Sequence, residues 1–132
     1  MSNALTYRRQ RASGERGAAM VEMAIVLPLL MLLVFGIIEF GRLYNSQVTL
    51  THGAREGVRE YAITQDPVAG EDAARRAISS TMLTGPLGVS TSACDPGEPT
   101  TMTLTYPFSL RIPFFGTNLI TITAEGVMRC GG

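Results

Sequence analysis

Along the chain the hydrophobic positions change period three times. Residues 1–17 are polar and basic, with no apolar repeat. Between Met23 and Ile38 sixteen successive residues carry no charge, and Glu22 is the lone carboxylate between this run and the apolar Ala18–Val21. From Glu39 the apolar positions thin to one helical stripe. Leu43, Leu50, Ala54, Val58 and Tyr61 recur three, four or seven apart, which predicts an amphipathic helix to about Ile63. Beyond Pro99 the period falls to two. Met102, Leu104, Tyr106 and Phe108 alternate with threonines and Ser109. Ile120, Ile122, Ala124, Gly126, Met128 and Cys130 alternate with Thr121, Thr123, Glu125 and Arg129.

These patterns predict an α+β protein in four parts. Residues 1–17 form an irregular cytoplasmic leader, 18–38 a transmembrane helix, 39–63 its extension into water, and 64–132 a small extracytoplasmic α+β module. The 21 residues from Ala18 to Ile38 would make roughly 32 Å of helix at about 1.5 Å per residue, a match to the roughly 30 Å hydrocarbon core of a bilayer. The whole helix to Ile63 would measure on the order of 70 Å. Pro28 falls inside the span and predicts a kink. Gly36 and Gly41 are five apart and do not fit the tight small-xxx-small spacing. Gly53 and Gly57 share a face, so another element can approach closely there.

A second helix is expected from the Asp66 cap and Pro67 to about Met82, with Ala73, Ala77, Ile78 and Met82 buried and Gly85-Pro86 ending it. A weak strand over Leu87–Cys94, the turn Asp95-Pro96-Gly97 and the two alternating strands complete a three-stranded antiparallel meander over the helices. Pro107 and Pro113 are expected to turn the far end of the middle strand into an irregular loop.

Charge orients this arrangement. Arg8, Arg9, Arg11 and Arg16 precede the span against one acid, Glu15, so the amino terminus stays cytoplasmic and the remainder is exported. Eleven basic and eleven acidic residues balance, which gives no basis for a nucleic-acid partner. Both cysteines, Cys94 and Cys130, lie in the exported part and read as one disulfide, with two thiols as the alternative. In a meander, alternate strands run parallel, which brings both cysteines to the same end of the sheet. The single histidine, His52, lacks a nucleophile, a metal cluster or a second histidine. No phosphate-binding glycine motif follows a strand, so no cofactor is expected and the chain is not expected to be an enzyme.

Glu22 needs a reason within so apolar a stretch. It either stays wet at the headgroup level or acts, since ionisable groups in hydrophobic spans are costly. A basic leader ending in Gly17, then a hydrophobic helix from Ala18 with Glu22 four residues on, resembles the type IV pilin class III signal. Arg16-Gly-Ala-Ala-Met-Val-Glu-Met-Ala-Ile-Val-Leu-Pro-Leu-Leu30, followed by Phe35-Gly-Ile-Ile-Glu39-Phe-Gly41-Arg42, is similar more specifically to the TadE-like family, with a departure at Met23, where the family usually carries Phe or Tyr. Ala54-Arg55-Glu56-Gly57-Val58-Arg59 resembles a second motif of that family. Glu56 and Arg59 can pair for a few tenths of a kcal/mol, and a solvated helix face is the plain alternative to a partner contact.

The resemblance implies a minor pilin or pseudopilin of the Tad (Flp) pilus and secretion system, a pilin-like single-pass protein of the bacterial inner membrane. It implies cleavage between Gly17 and Ala18 by a prepilin peptidase, and assembly with other pilins and Tad assembly proteins. The freed amine of Ala18, mostly protonated at neutral pH, would meet Glu22 of an adjoining subunit, with the contact inside one chain as the rival. The competing expectation is an unprocessed single-pass membrane protein whose outer domain binds a partner.

Overall fold

In the computed structural model the backbone is described for residues 3–79, 83, 85–113 and 115–131, and side chains from Arg16 onward within that set. The chain divides into two compact units, Met1–Ile38 and Glu39–Gly132. Helix α1, Asn3–Thr64, runs through the first and into the second.

The leader, expected to be irregular, is helical from Asn3. It contains no proline, and Ala, Leu, Arg, Gln and Glu are good helix formers. A long helix beginning beside it removes the nucleation cost that a free peptide of this length would face. The helix also passes Pro28 without interruption. It stops one residue beyond the predicted Ile63, where Gln65 takes the left-handed conformation (φ 56°) and donates its N–H to the Tyr61 carbonyl at 2.8 Å.

In the second unit α2 covers Pro67–Ile78, capped by Asp66, whose carboxylate accepts from the Val68 N–H at 2.9 Å. It ends at Ile78, short of Met82, which lies outside the described residues. Its buried face is Gly70, Ala73, Ala74 and Ile78, with Ala77 only half-buried. Ala74 is a turn from Gly70 and faces α1 in place of Ala77. The two helices cross where Gly57 meets Gly70: a Cβ on Gly57 would lie 2.9 Å from the Gly70 carbonyl oxygen and 2.7 Å from the Ala74 Cβ. The predicted close approach at Gly57 is therefore made by α2, and Gly70 is there for its size.

The sheet is the predicted antiparallel meander, order β1-β2-β3, with β1 Gly88–Thr91, β2 Pro99–Ile112 and β3 Gly116–Arg129. β1 is shorter than the Leu87–Cys94 expected. β2 is longer, pairing with β3 from Pro99↔Arg129 to Ile112↔Gly116 straight through Pro107. The expectation that Pro107 would end the strand is thus overturned. β1 accompanies β2 only as far as Gly88↔Thr105, so beyond Thr105 one edge of β2 is open and a missing N–H can face it without breaking a ladder.

One face of the sheet packs on the helices. Leu50, Ala54, Val58 and Tyr61 of α1 and Ala74 of α2 meet Met102, Leu104, Tyr106 and Phe108 of β2 and Ile122 and Ala124 of β3. The period-two reading of β2 holds at all four positions. On β3 it fails at Met128, which is 40% exposed and lines an open groove with Arg55 and Arg59 of α1. Tyr61 donates from its hydroxyl to the Ser92 carbonyl, and the Tyr106 hydroxyl accepts from the Gly85 N–H, both at 3.2 Å, so two core aromatics also hold the loops at its rim.

Cys94 and Cys130 are bonded, their Cα atoms 5.5 Å apart. Closing a loop between cysteines 36 apart is worth about 3–4 kcal/mol in the chain-entropy model. Reduction should therefore lower the urea midpoint of the detergent-solubilised protein, followed by near-UV dichroism of its tyrosines. An unchanged midpoint would show that the covalent link constrains little.

Candidate functional site

The residues singled out in the sequence fall into two places. Gly17, Ala18 and Glu22 lie on α1 in the first unit, and all three are exposed. Glu22 is one turn beyond Ala18 on the same side of the helix, about 6 Å along its axis. A Cβ on Gly17 would meet nothing within 4 Å, so no packing within the chain demands a glycine there. Among the described residues Glu22 has no ion pair and no hydrogen-bond partner. The most apolar stretch of this helix has a mean hydropathy of 2.7 and is 0% buried. Leu29, Ile25 and Met20 are each at least 70% exposed, an apolar surface long enough to cross a membrane.

The second place starts where the apolar run stops. Glu39 is only 13% exposed, pairs with Arg42 at 2.6 Å, and accepts the Arg111 N–H of β2 at 3.3 Å. Arg42 in turn lies over the Phe108 ring, 5.5 Å from its centroid. Glu39 and Arg42 thus bind the lower end of the sheet to α1. A pair three apart on a helix announces the ion pair, but nothing in the sequence announces Arg111. A Cβ on Gly41 would meet nothing within 4 Å among the described residues.

In the Ala54–Arg59 motif the structure separates packing from surface. Ala54, Gly57 and Val58 are buried against the sheet and α2, while Arg55 and Arg59 are exposed. Glu56 and Arg59 form the expected pair at 3.4 Å, with both side chains more than 40% exposed. That geometry is worth little energetically. His52, Arg55, Arg59 and Glu125 line an open groove of about 510 Å³ between α1 and β3. Sequence reasoning missed one close contact in the motif, where Gly126 of β3 rests on the backbone of Ala54 and Arg55.

These features define an α+β protein whose long amino-terminal helix holds one candidate membrane span among the described residues. The family model described as TadE-like protein matches residues 17–59, from Gly17 to Arg59. That range includes Glu22, Pro28, Glu39, Arg42 and the Ala54–Arg59 motif, and the resemblance read from those residues holds there. It associates the chain with the membrane and, in general terms, with Tad pilus components. No curated protein and no solved structure matches the chain.

Proposed function

We propose that this chain is a minor pilin or pseudopilin of the Tad (Flp) system. A prepilin peptidase cuts it after Gly17, and it assembles through its amino-terminal helix with other pilins and Tad assembly proteins. The leader lies in the cytoplasm and the α+β module outside the inner membrane. The observation that carries this reading is Glu22, without a partner among the described residues and one turn beyond Ala18 on an exposed apolar helix.

The reading assigns each part a task. Gly17 leaves the backbone accessible to a peptidase. Cleavage creates an α-amine at Ala18, and in low dielectric this cation attracts the Glu22 carboxylate of an adjoining subunit strongly. The exposed apolar residues first hold the chain in lipid and then pack against neighbouring helices.

Intact mass and amino-terminal sequencing of the membrane-extracted chain test the processing step. A chain beginning at Ala18, lighter by the 17 leader residues, is the expected result. Gly17→Val should leave the full-length mass, because a β-branched side chain obstructs the cleavage position. A native chain that still carries its leader would return the protein to an unprocessed single-pass receptor.

A further inference from the structure

We propose that the outer edge of β3 from Glu125 to Arg129 takes up an added strand, an extended acidic segment of another protein seated in the groove between that edge and α1. Every residue involved belongs to the second unit, and the inference holds whether or not the chain is cleaved after Gly17.

The hydrogen bonds at the end of the sheet fix which backbone groups face outward. The Cys130 N–H donates to the Glu98 carbonyl at 2.9 Å, one step beyond the Pro99↔Arg129 pair, so Cys130 faces β2. Facing alternates along an antiparallel ladder. Met128, Gly126 and Ala124 therefore turn their N–H and C=O groups to β2, and Arg129, Val127, Glu125 and Thr123 turn theirs outward. Two contacts with α1 agree. Gln47 donates its side-chain amide to the Thr123 carbonyl at 2.8 Å, and the Gly131 N–H, also of the outward set, reaches the Ala62 carbonyl at 3.0 Å. Between these two fastenings the outward groups of Glu125, Val127 and Arg129 have no partner among the described residues. The other rims are shorter or interrupted: β1 has four residues, and the open stretch of β2 contains Pro107, which lacks an N–H, and Arg111, whose N–H is held by Glu39. An unpaired edge is a template for another strand.

The groove supplies room and charge. It is lined by Glu125, Gly126, Val127 and Met128, whose side chains alternate between the two faces of the sheet, so it runs along the strand's edge and not beneath the sheet. On the α1 side Arg55 and His52 are exposed, with no ion pair or hydrogen bond among the described residues, while Arg59 is paired with Glu56. A Cβ on Gly126 would be 3.0 Å from the Arg55 nitrogen, which puts Arg55 beside the edge. In an added strand the residues opposite Gly126 and Met128 point to this side, where carboxylates meet the Arg55 guanidinium. Residues opposite Glu125, Val127 and Arg129 lie on the outer face, beside the exposed Val127 side chain. A second copy fits less well, because antiparallel pairing of two β3 edges is two-fold symmetric and sets the Arg55 side of one copy against its counterpart.

The probe is fluorescein-labelled Thr-Glu-Val-Glu-Val-Glu-Thr, titrated with the detergent-solubilised full chain and followed by anisotropy. Saturable binding is expected, with a several-fold loss in Arg55→Glu, an exposed position on α1, and none with the peptide carrying lysines for glutamates. Backbone N-methylation separates strand addition from simple charge attraction, because only alternate N–H groups of the peptide face β3. Methylated at both valines, the peptide should lose about tenfold in affinity through its missing hydrogen bonds. Methylated at the central glutamate, it should bind as before. Equal affinity of the two methylated peptides, a loss in the glutamate-methylated one, or no saturable binding at all overturns the added strand. Self-association of the chain in sedimentation that the acidic peptide reverses would assign the edge to a second copy and also overturn the proposal.

Discussion

Glu22→Ala should insert in the membrane and be processed like the native chain, yet disappear from assembled pili. The argument is a comparison of states. On insertion scales an acidic residue at the centre of a span costs about 2.5–3.5 kcal/mol, and less towards the interface, so removing Glu22 can only ease insertion. Any loss must come from a state in which the carboxylate has a partner, and no such partner exists among the described residues of its own chain. Glu22→Gln keeps the shape and a hydrogen-bond acceptor but not the charge, and should fail nearly as badly if the Ala18 amine is that partner. The measurement is the fraction of processed protein recovered with sheared pili or with co-purified Tad components. Normal recovery of Glu22→Ala would end the proposed pairing.

Gly126→Ala is expected to have the largest effect on the folded module. A Cβ at Gly126 would collide with the Ala54 carbonyl oxygen, and it would lie 2.7 Å from the Ala54 carbonyl carbon and 3.0 Å from the Arg55 nitrogen. These are backbone atoms of a helix, so no rotamer change relieves them, and β3 must lift away from α1. Overpacking of this kind costs about 1–3 kcal/mol, here at the upper end, against the 5–15 kcal/mol typical of a whole domain. The same urea titration used for the disulfide would show it as a lower midpoint. Gly41 is the contrasting site, because a Cβ there meets nothing within 4 Å. Equal midpoints for Gly126→Ala and native protein would mean that the strand adjusts at no cost.

The parts legible in the sequence were those governed by local periodicity. Four alternating residues on β2, the helical stripe from Leu50 to Tyr61, the Asp66-Pro67 cap and the meander that brings Cys94 to Cys130 all follow from spacing along the chain. The parts that were not legible depend on what lies next to an element in space. Pro107 reads as a strand breaker until β1 is known to stop at Thr105. Met128 reads as core until it is seen to line an open groove beside Arg55 and Arg59. Glu39 is a recognisable motif residue, but its hold on Arg111 joins positions 72 apart, with no pattern linking them. In the motif around Gly57, the glycine and alanine were partly explicable by size, whereas no ion pair or hydrogen bond among the described residues explains Arg55.

The closure at the far end of the module has a practical consequence. The Gly131 N–H is bonded to the Ala62 carbonyl of α1 at 3.0 Å, and the Cys130 N–H to the Glu98 carbonyl at 2.9 Å. The last described residues are thus fastened beside the final turn of α1, at the opposite end of the module from Glu39. A fluorescent or affinity tag fused there would leave the module at the end remote from Glu39, clear of its contacts with Arg42 and Arg111. It could report on export without disturbing those contacts.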